Sequence, residues 1–322
     1  MTMWRASCSL SNLEARAELY ALIRAFFVAR KVLEVETPLL STSTATDPQL
    51  ESISASVRKN MGSEAEPYFL HTSPEFPMKR LLASGSGAIY QICKTFRNGE
   101  SGRKHNPEFS MLEWYRPGFS LSELMQELEL LMSDALGTNS AENLSYRDAF
   151  LRYVDIDPFE ITDELLAIKA RELAEYAGPK LSRDDNLNLI LSICIEPFLG
   201  AENPCFLCEY PPSQASLAQI CLSSAGHLVA QRFELYINGM ELANGYYELT
   251  DAQEQSKRFD QDNQERCLAG LPVIPPDENL VAAMAHGLPA CSGVAVGLDR
   301  VLMLKVGVQS IDEVLTFPIS RA

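Results

Sequence analysis

Apolar positions near the start of the chain repeat with the period of an α-helix. Four of them share one helical face: Leu19, Ile23, Phe26 and Phe27. Residues 11–14 (Ser-Asn-Leu-Glu) have the form of a capping box, so we predict a helix from there to about Arg30. A second box at residues 120–123 (Ser-Leu-Ser-Glu) precedes a stripe of leucines and predicts another helix.

Several later segments have strand-like patterns, and two of them, residues 32–36 and 232–237, alternate between apolar and polar positions as β-strands do. The strand-like segments cover residues 32–36, 90–97, 108–115, 232–237 and 240–249. Residues 145–200 instead have a helical pattern, broken near Pro158 and Pro179. Strands in runs with helices clustered beside them predict an α+β fold with a largely antiparallel sheet flanked by helices. No Gly/Ser-rich linker bounds the helical block, so we predict one domain over residues 1–322 with a helical insertion around 145–200.

The composition narrows the possible classes of function. The 322 residues include 27 Lys and Arg against 43 Asp and Glu, which gives a net charge of −16. So acidic a chain does not bind nucleic acid through bulk charge. No apolar stretch approaches the roughly 18 residues of a membrane-spanning helix, and residues 1–10 lack the apolar run of an export signal. Eight scattered cysteines are typical of reduced thiols, so we expect a cytoplasmic protein.

The first segment with candidate chemistry lies between two predicted strands. Arg97 ends the first strand at the mouth of a polar loop, where its planar, permanently charged guanidinium suits a phosphate. Residues 105–109 (His-Asn-Pro-Glu-Phe) begin the return strand, and Phe109 offers an aromatic face to a purine ring. An ordinary hairpin with a surface arginine and a core phenylalanine explains the same residues, so this segment alone leaves both interpretations open.

The second segment carries two carboxylates, Glu241 and Glu248, on one predicted strand. Carboxylates that converge on a cleft can hold Mg²⁺ together with substrate phosphates. A regular strand places Glu241 and Asn244 on opposite faces, and a bulge at Gly245 would change this. Solvated charges at a sheet edge are the alternative explanation.

Two further segments carry groups that suit ionic ligands. Gly297 lets a ligand approach the backbone closely, and Arg300 lies near the start of a predicted helix, where the dipole favours anions. In residues 72–75 (Thr-Ser-Pro-Glu), Glu75 offers a carboxylate to an ammonium group. Each segment by itself is weak evidence of function.

The order of these segments carries more information than any one of them. Residues 34–38, 72–75, 96–98 with 105–109, 241–245 and 297–300 together resemble the catalytic core of class II aminoacyl-tRNA synthetases, and within it the lysyl branch. The first motif begins within the first forty residues, so we expect no anticodon-binding domain and no stable tRNA binding. The chain therefore resembles the stand-alone paralogs of the lysyl enzymes, the elongation factor P β-lysine ligase family.

That resemblance implies an ATP-dependent (AMP-forming) ligase. Such an enzyme activates (R)-β-lysine as an acyl-adenylate with ATP and Mg²⁺, and transfers it to the ε-amino group of a lysine on elongation factor P. The resemblance also implies a homodimer, with Pro38 at the interface. The alternative is a class II amino-acid:amine ligase or truncated synthetase that uses α-lysine or another amino acid. A regulatory protein without turnover would be expected to lose the arginines and carboxylates of the motifs, and all are present.

The same resemblance assigns roles to individual residues. The expected catalytic residues are Arg97 on the α-phosphate and Arg300 on the γ-phosphate. The expected ATP site comprises Arg97, Asn98, Gly99, His105, Asn106, Phe109, Glu241, Leu242, Gly297 and Arg300. The expected amino-acid site comprises Ser73, Pro74, Glu75, Tyr115 and Glu248. Glu241 and Glu248 are the expected metal ligands.

Two positions depart from the pattern of the lysyl enzymes. Their Arg-Asn-Glu sequence is interrupted here by Gly99, so the glutamate contact with adenine is either lost or remade by the Gly99 backbone or by Glu100. Ala295 stands where those enzymes tend to have glycine, as it does in the paralog family. Its methyl group narrows the expected pocket floor, which implies a substrate whose amino group is placed differently from that of α-lysine.

Overall fold

The computed structural model describes residues 4–322 and divides the chain into two compact units. The first unit comprises the residues up to Phe119 together with Leu249–Ala322, and the second comprises Ser120–Glu248. The second unit is therefore a continuous insertion in the sequence of the first.

Helices and strands both occur before, within and after the insertion. Before the insertion they are α1 (Leu10–Ala29), β1 (Leu33–Glu34), β2 (Leu40–Ser41), β3 (Ser54–Val57), β4 (Glu66–Leu70), α2 (Glu75–Ala83), β5 (Ile89–Phe96) and β6 (Glu108–Pro117). The insertion contains α3 (Leu121–Leu136), β7 (Glu142–Ser145), α4 (Tyr146–Val154), α5 (Asp163–Leu173), α6 (Arg183–Ile190), β8 (Cys205–Tyr210), β9 (Ile220–Leu222), β10 (Leu228–Ile237) and β11 (Met240–Tyr247). The remaining elements are α7 (Ala252–Leu268), α8 (Glu278–Gly287), β12 (Cys291–Gly297) and α9 (Leu298–Val306).

The first unit is built on a sheet with the strand order β1-β5-β6-β12. β1 pairs with β5 in parallel, and the other neighbours are antiparallel. A smaller antiparallel sheet has the order β2-β4-β3. Helices α2, α7 and α8 share an apolar core with Tyr115 of β6, and its helical members include Met78, Leu82, Phe259, Leu280 and Met284. This core fixes α2, whose first residue is Glu75, against the strand that carries Tyr115.

The strands of the second unit follow the order β11-β10-β8-β7, and β9 also pairs with β10. β7 and β8 are parallel, and the other pairs are antiparallel. Helices α4, α5 and α6 contribute to a second apolar core, which includes Phe150, Leu166, Leu187 and Ile190. Asn238 and Gly239, with φ of 52° and 64°, form the tight turn between β10 and β11.

The predicted fold class is confirmed, since helices lie beside mostly antiparallel sheets in both units. The capping box predicted at residues 11–14 is wrong. Ser9 caps α1 instead, because its hydroxyl accepts the hydrogen bond from the amide of Asn12. The strand predicted at residues 32–36 is reduced to Leu33–Glu34. No helix within residues 4–322 is long and apolar enough to cross a membrane.

Candidate active site

The hairpin of β5 and β6 carries the first of the predicted segments. The amide of Arg97 donates to the carbonyl of Pro107 at 2.9 Å and closes the loop at its base. Inside the loop, Gly99 has φ of 76°, in the left-handed region that favours glycine. A residue with a side chain would be strained at this position.

Arg97 presents a guanidinium with a buried donor that no other part of residues 4–322 uses. Its Nε is buried without a hydrogen-bond partner, and its Nη1 lies 3.8 Å from Oε1 of Glu100. Its Cζ lies 5.2 Å from the centre of the Phe109 ring. A planar cation with unused donors beside an aromatic face suits an anion joined to a planar ring.

The two asparagines of the loop are held by the protein itself. The amide N–H and the side-chain Nδ2 of Asn98 both donate to Glu51, each at 2.7 Å. Asn106 donates to the carbonyl of Glu108 at 2.6 Å and accepts from the amide of Ile319 at 2.9 Å. Both side chains therefore shape the loop, and their contact with a nucleotide stays a prediction.

Arg300 lies in the first turn of α9 and reaches the same loop. Its Nη2 is 2.6 Å from Nε2 of His105, and its Nε donates to the carbonyl of Lys104 at 3.5 Å. Burial first, and then the positive charge of Arg300, lower the pKa of His105, and Arg97 contributes in the same direction. A neutral His105 accepts the hydrogen bond from Arg300. The structure thus brings Arg97, His105, Phe109 and Arg300 to one loop.

Asp299, the residue before Arg300, is a positioning group that the sequence analysis missed. It is 1% exposed. Its Oδ2 accepts from the amide of Ser110 at 2.6 Å, and its Oδ1 accepts from Arg16 of α1 at 2.5 Å. These bonds tie the start of α9, just after Gly297, to β6 and to α1. A single buried aspartate has no periodic signal, so only the structure identifies it.

The predicted amino-acid turn leads directly into α2. Pro74 occupies the N-cap position, and the amide of Glu75 donates to Oγ of Ser73 at 3.2 Å. Oε1 of Glu75 lies 2.6 Å from Nζ of Lys79, one helical turn later. The sequence analysis missed Lys79 because it predicted no helix over these residues.

Tyr115 is buried, and its hydroxyl donates to Oε1 of Glu113 at 2.6 Å. Glu113 is itself only 2% exposed. A buried carboxylate is costly unless it is hydrogen-bonded or meets a cation, and the hydrogen bond from Tyr115 meets part of that need. Strand alternation does not distinguish such a residue from its neighbours, and the sequence analysis did not identify it.

In the second unit, a β-bulge decides which residues of β11 share a face. The register of β10 and β11 shifts between Leu235 and Tyr236, which leaves Leu242 as the extra residue. The shift puts Glu241 and Asn244 on one face. The prediction of a bulge at Gly245 is wrong, because Gly245 pairs regularly with β10.

The remaining predicted carboxylate, Glu248, follows the end of β11. It is 1% exposed, and its carbonyl accepts from Nε2 of Gln219 at 3.0 Å. Within residues 4–322 there is no group of three or more His, Cys, Asp or Glu residues that could hold a metal ion. The assignment of Glu241 and Glu248 to Mg²⁺ stays a prediction.

A charged network lies on the same face as Glu241 and Asn244. Nδ2 of Asn244 donates to Oε1 of Glu234 at 3.3 Å, and the hydroxyl of Tyr236 donates to Oε2 of Glu234 at 2.6 Å. Arg232 pairs with Glu234 and lies 4.3 Å from the centre of the Tyr210 ring. The network fixes the carboxamide of Asn244 through its hydrogen bond to Glu234.

Comparisons with known proteins show the family to which the chain belongs. A family model described as class II tRNA synthetases (D, K and N) matches residues 1–321. The chain belongs to this family. Three relatives named elongation factor P--(R)-beta-lysine ligase come from Photorhabdus laumondii, Edwardsiella ictaluri and Proteus mirabilis. They are 48%, 48% and 49% identical to this chain, over 99 to 100% of it and 98 to 99% of their own lengths. The predicted membership of the class II synthetase family is confirmed.

Proposed function

We propose that the chain is an ATP-dependent ligase that activates (R)-β-lysine as an acyl-adenylate and joins it to the ε-amino group of a lysine on elongation factor P. Near full-length similarity to relatives of that name supports the proposal. Membership of a class II synthetase family supports the use of ATP.

The observation that carries the nucleotide half of the proposal is the loop around His105. Arg97 and Arg300 both act electrostatically on His105, one from the loop and one from α9. Arg97 has a buried Nε without a partner and lies beside the ring of Phe109. Two guanidiniums at one loop suit the two ends of a triphosphate, while the phenylalanine ring suits the purine.

The amino-acid half of the proposal requires carboxylates, because β-lysine carries two ammonium groups. Glu75 at the start of α2 and the buried Glu113 of β6 are the candidates in the first unit. We assign Glu248 to the same substrate by its resemblance to the lysyl enzymes. Ser73 and Pro74 set the position of Glu75, and Tyr115 sets the position of Glu113, through the contacts described above.

The first chemical step needs no general base, since the substrate carboxylate is already a nucleophile. It attacks the α-phosphorus in line, the bond to the bridging oxygen breaks, and pyrophosphate leaves with both electrons of that bond. Arg97 stabilises the charge that develops on the phosphoryl oxygens, and Arg300 holds the departing end. In the second step the acceptor amine, after losing a proton, attacks the acyl carbon and AMP leaves.

We assign Mg²⁺ to Glu241 and Glu248 together with the substrate phosphates. Magnesium is usually held by one or two carboxylates plus phosphate oxygens, so the donor set fits the ion. When bound, the ion neutralises phosphate charge. The bulge at Leu242 supports the assignment, because it turns Glu241 toward the face that also carries Asn244.

Three further expectations belong to the same proposal. The acceptor is a protein, so we expect no stable tRNA complex. Elongation factor P is a translation factor, so we expect the chain to act in the cytoplasm. We also expect a homodimer, and the exposure of Pro38 and of its neighbours Leu39 and Leu40 leaves that surface open to a second copy.

Amino-acid-dependent exchange of pyrophosphate into ATP tests the activity and its substrate class. We expect exchange with (R)-β-lysine that exceeds exchange with α-lysine or any other amino acid of a panel. A preference for α-lysine would favour the alternative ligase, and no exchange with any amino acid would contradict the proposal.

A further inference from the structure

Helix α2 carries a second charged residue beside the proposed substrate carboxylate. Lys79 lies one turn after Glu75, and its Nζ is 2.6 Å from Oε1 of Glu75. The side chain of Lys79 is 1% exposed, whereas that of Glu75 is 15% exposed. The ammonium group therefore lies on the protein side of the pair, and the carboxylate lies on its open side.

A lysine is an unusual choice for this position. Its neighbours on α2, Met78 and Leu82, belong to an apolar core, and burial of an ammonium group is costly even when it is paired. An apolar side chain of similar size often stabilises such a position as well as a buried ion pair does. The pair therefore calls for a reason other than the stability of α2.

The geometry of the carboxylate provides that reason. Oε1 of Glu75 is occupied by Lys79, whereas Oε2 accepts no hydrogen bond from any of residues 4–322. The amide of Glu75 donates to Oγ of Ser73 at 3.2 Å, which also fixes the backbone at this point. One oxygen atom of defined position remains for a ligand, on the more exposed side of the pair.

We propose that Lys79 is a positioning residue for the amino-acid substrate: it holds the Glu75 carboxylate in one orientation, so that Oε2 accepts a hydrogen bond from one primary ammonium group. The inference rests on the proposed function, in which Glu75 binds an amino group of β-lysine. In this role Lys79 acts on the amino acid through Glu75, so we expect the affinity for ATP to change little in its variants.

The test is steady-state pyrophosphate exchange by K79M, K79R and R80M. For K79M we expect the KM for β-lysine to rise about tenfold, the size of one hydrogen bond to a charged group. We expect its kcat and its KM for ATP to stay within about twofold of wild type, as for a loss of substrate binding alone. K79R keeps the charge and should recover most of the affinity. Arg80 is exposed on the same helix, so R80M is the matched control and should behave as wild type.

A double-mutant cycle separates a positioning role from a structural one. In the E75Q background, K79M should add no further increase in the KM for β-lysine, because the group through which Lys79 acts is gone. If K79M does not fold, K79Q takes its place in both measurements. An unchanged KM in the single variant, or equal losses for β-lysine and ATP, would overturn the inference. Absence of β-lysine-dependent exchange in the wild-type chain would instead refute the proposed function.

Discussion

Two regions of the first unit, the buried Asp299 and the loop that carries Arg97, differ in how their polar groups are satisfied. Asp299 is buried and accepts hydrogen bonds from Arg16 and from the amide of Ser110. Arg300 reaches the loop at His105, where the nearby Arg97 has a buried donor without a partner. Groups that fix the fold have their hydrogen bonds satisfied within the chain, whereas the group beside the proposed nucleotide is left unsatisfied for a ligand.

Removal of the Arg97 guanidinium should have the largest effect on activity. We expect R97A to lower kcat/KM for pyrophosphate exchange by about 10²- to 10³-fold, because one donor to developing phosphoryl charge is lost. Its melting temperature should match that of wild type, since the Arg97 side chain donates no hydrogen bond within residues 4–322. R80A is the control for loss of a surface arginine, and exchange by R97A at the wild-type rate would refute the assignment.

A substitution of the buried Asp299 should act on stability instead. We expect D299N to lower the free energy of unfolding by about 3 kcal/mol, because it leaves the charge of Arg16 without its counterion in a largely buried site. Denaturant unfolding measures this effect. D312N, at an exposed aspartate farther along the chain, should be near neutral. Equal stability of D299N and D312N would contradict the distinction between the buried Asp299, which fixes the fold, and the loop that carries Arg97.

The contact between His105 and Arg300 predicts a smaller effect, which depends on pH. Burial and the charge of Arg300 lower the pKa of His105 in the folded state below its ordinary value of 6.5. The unfolded chain therefore takes up the proton first, and stability is lost as the pH falls below that value. H105Q keeps an acceptor but cannot titrate, so its melting temperature should fall less than that of wild type between pH 7.5 and 5.5. H286Q, at an exposed histidine, should follow wild type.

The smallest expected effect comes from α7, away from this loop. Burial raises the pKa of Asp262 to about 6, although Oγ1 of Thr46 donates to it at 2.5 Å. The folded state thus favours the protonated carboxyl, and stability is lost as the pH rises through about 6. At pH 8, D262N should be more stable by about 1 kcal/mol after allowance for solvent screening. D260N, on the exposed face of α7, should show no gain.

The sequence predicted the parts of the site that carry a local signature. Arg97 directly follows β5, Phe109 lies at the start of β6 and Arg300 lies in the first turn of α9, so pattern and order predicted where these residues lie, while their roles stay predictions. The groups that support them are set by contacts distant in sequence. Asp299 meets Arg16 across 283 positions, and no periodicity records that pairing.

Two local features also escaped prediction, each for a physical reason. The third residue of helix α2 is a proline. Proline usually breaks a helix, although the first turn tolerates it. No helix was therefore predicted here, and Lys79 was not placed beside Glu75. The bulge in β11 falls at Leu242 because of the register with β10, and glycine content alone pointed to Gly245 instead. The division of the chain into a single domain with a helical insertion stays a prediction.

The most direct test of the account is the intact mass of elongation factor P after incubation with the chain, ATP, Mg²⁺ and (R)-β-lysine. We expect its mass to increase by one β-lysyl group with the wild-type chain and with R80A, and to stay unchanged with R97A. An unchanged mass with the wild-type chain, or full modification by R97A, would contradict the central claim that Arg97 serves a β-lysine–protein ligase.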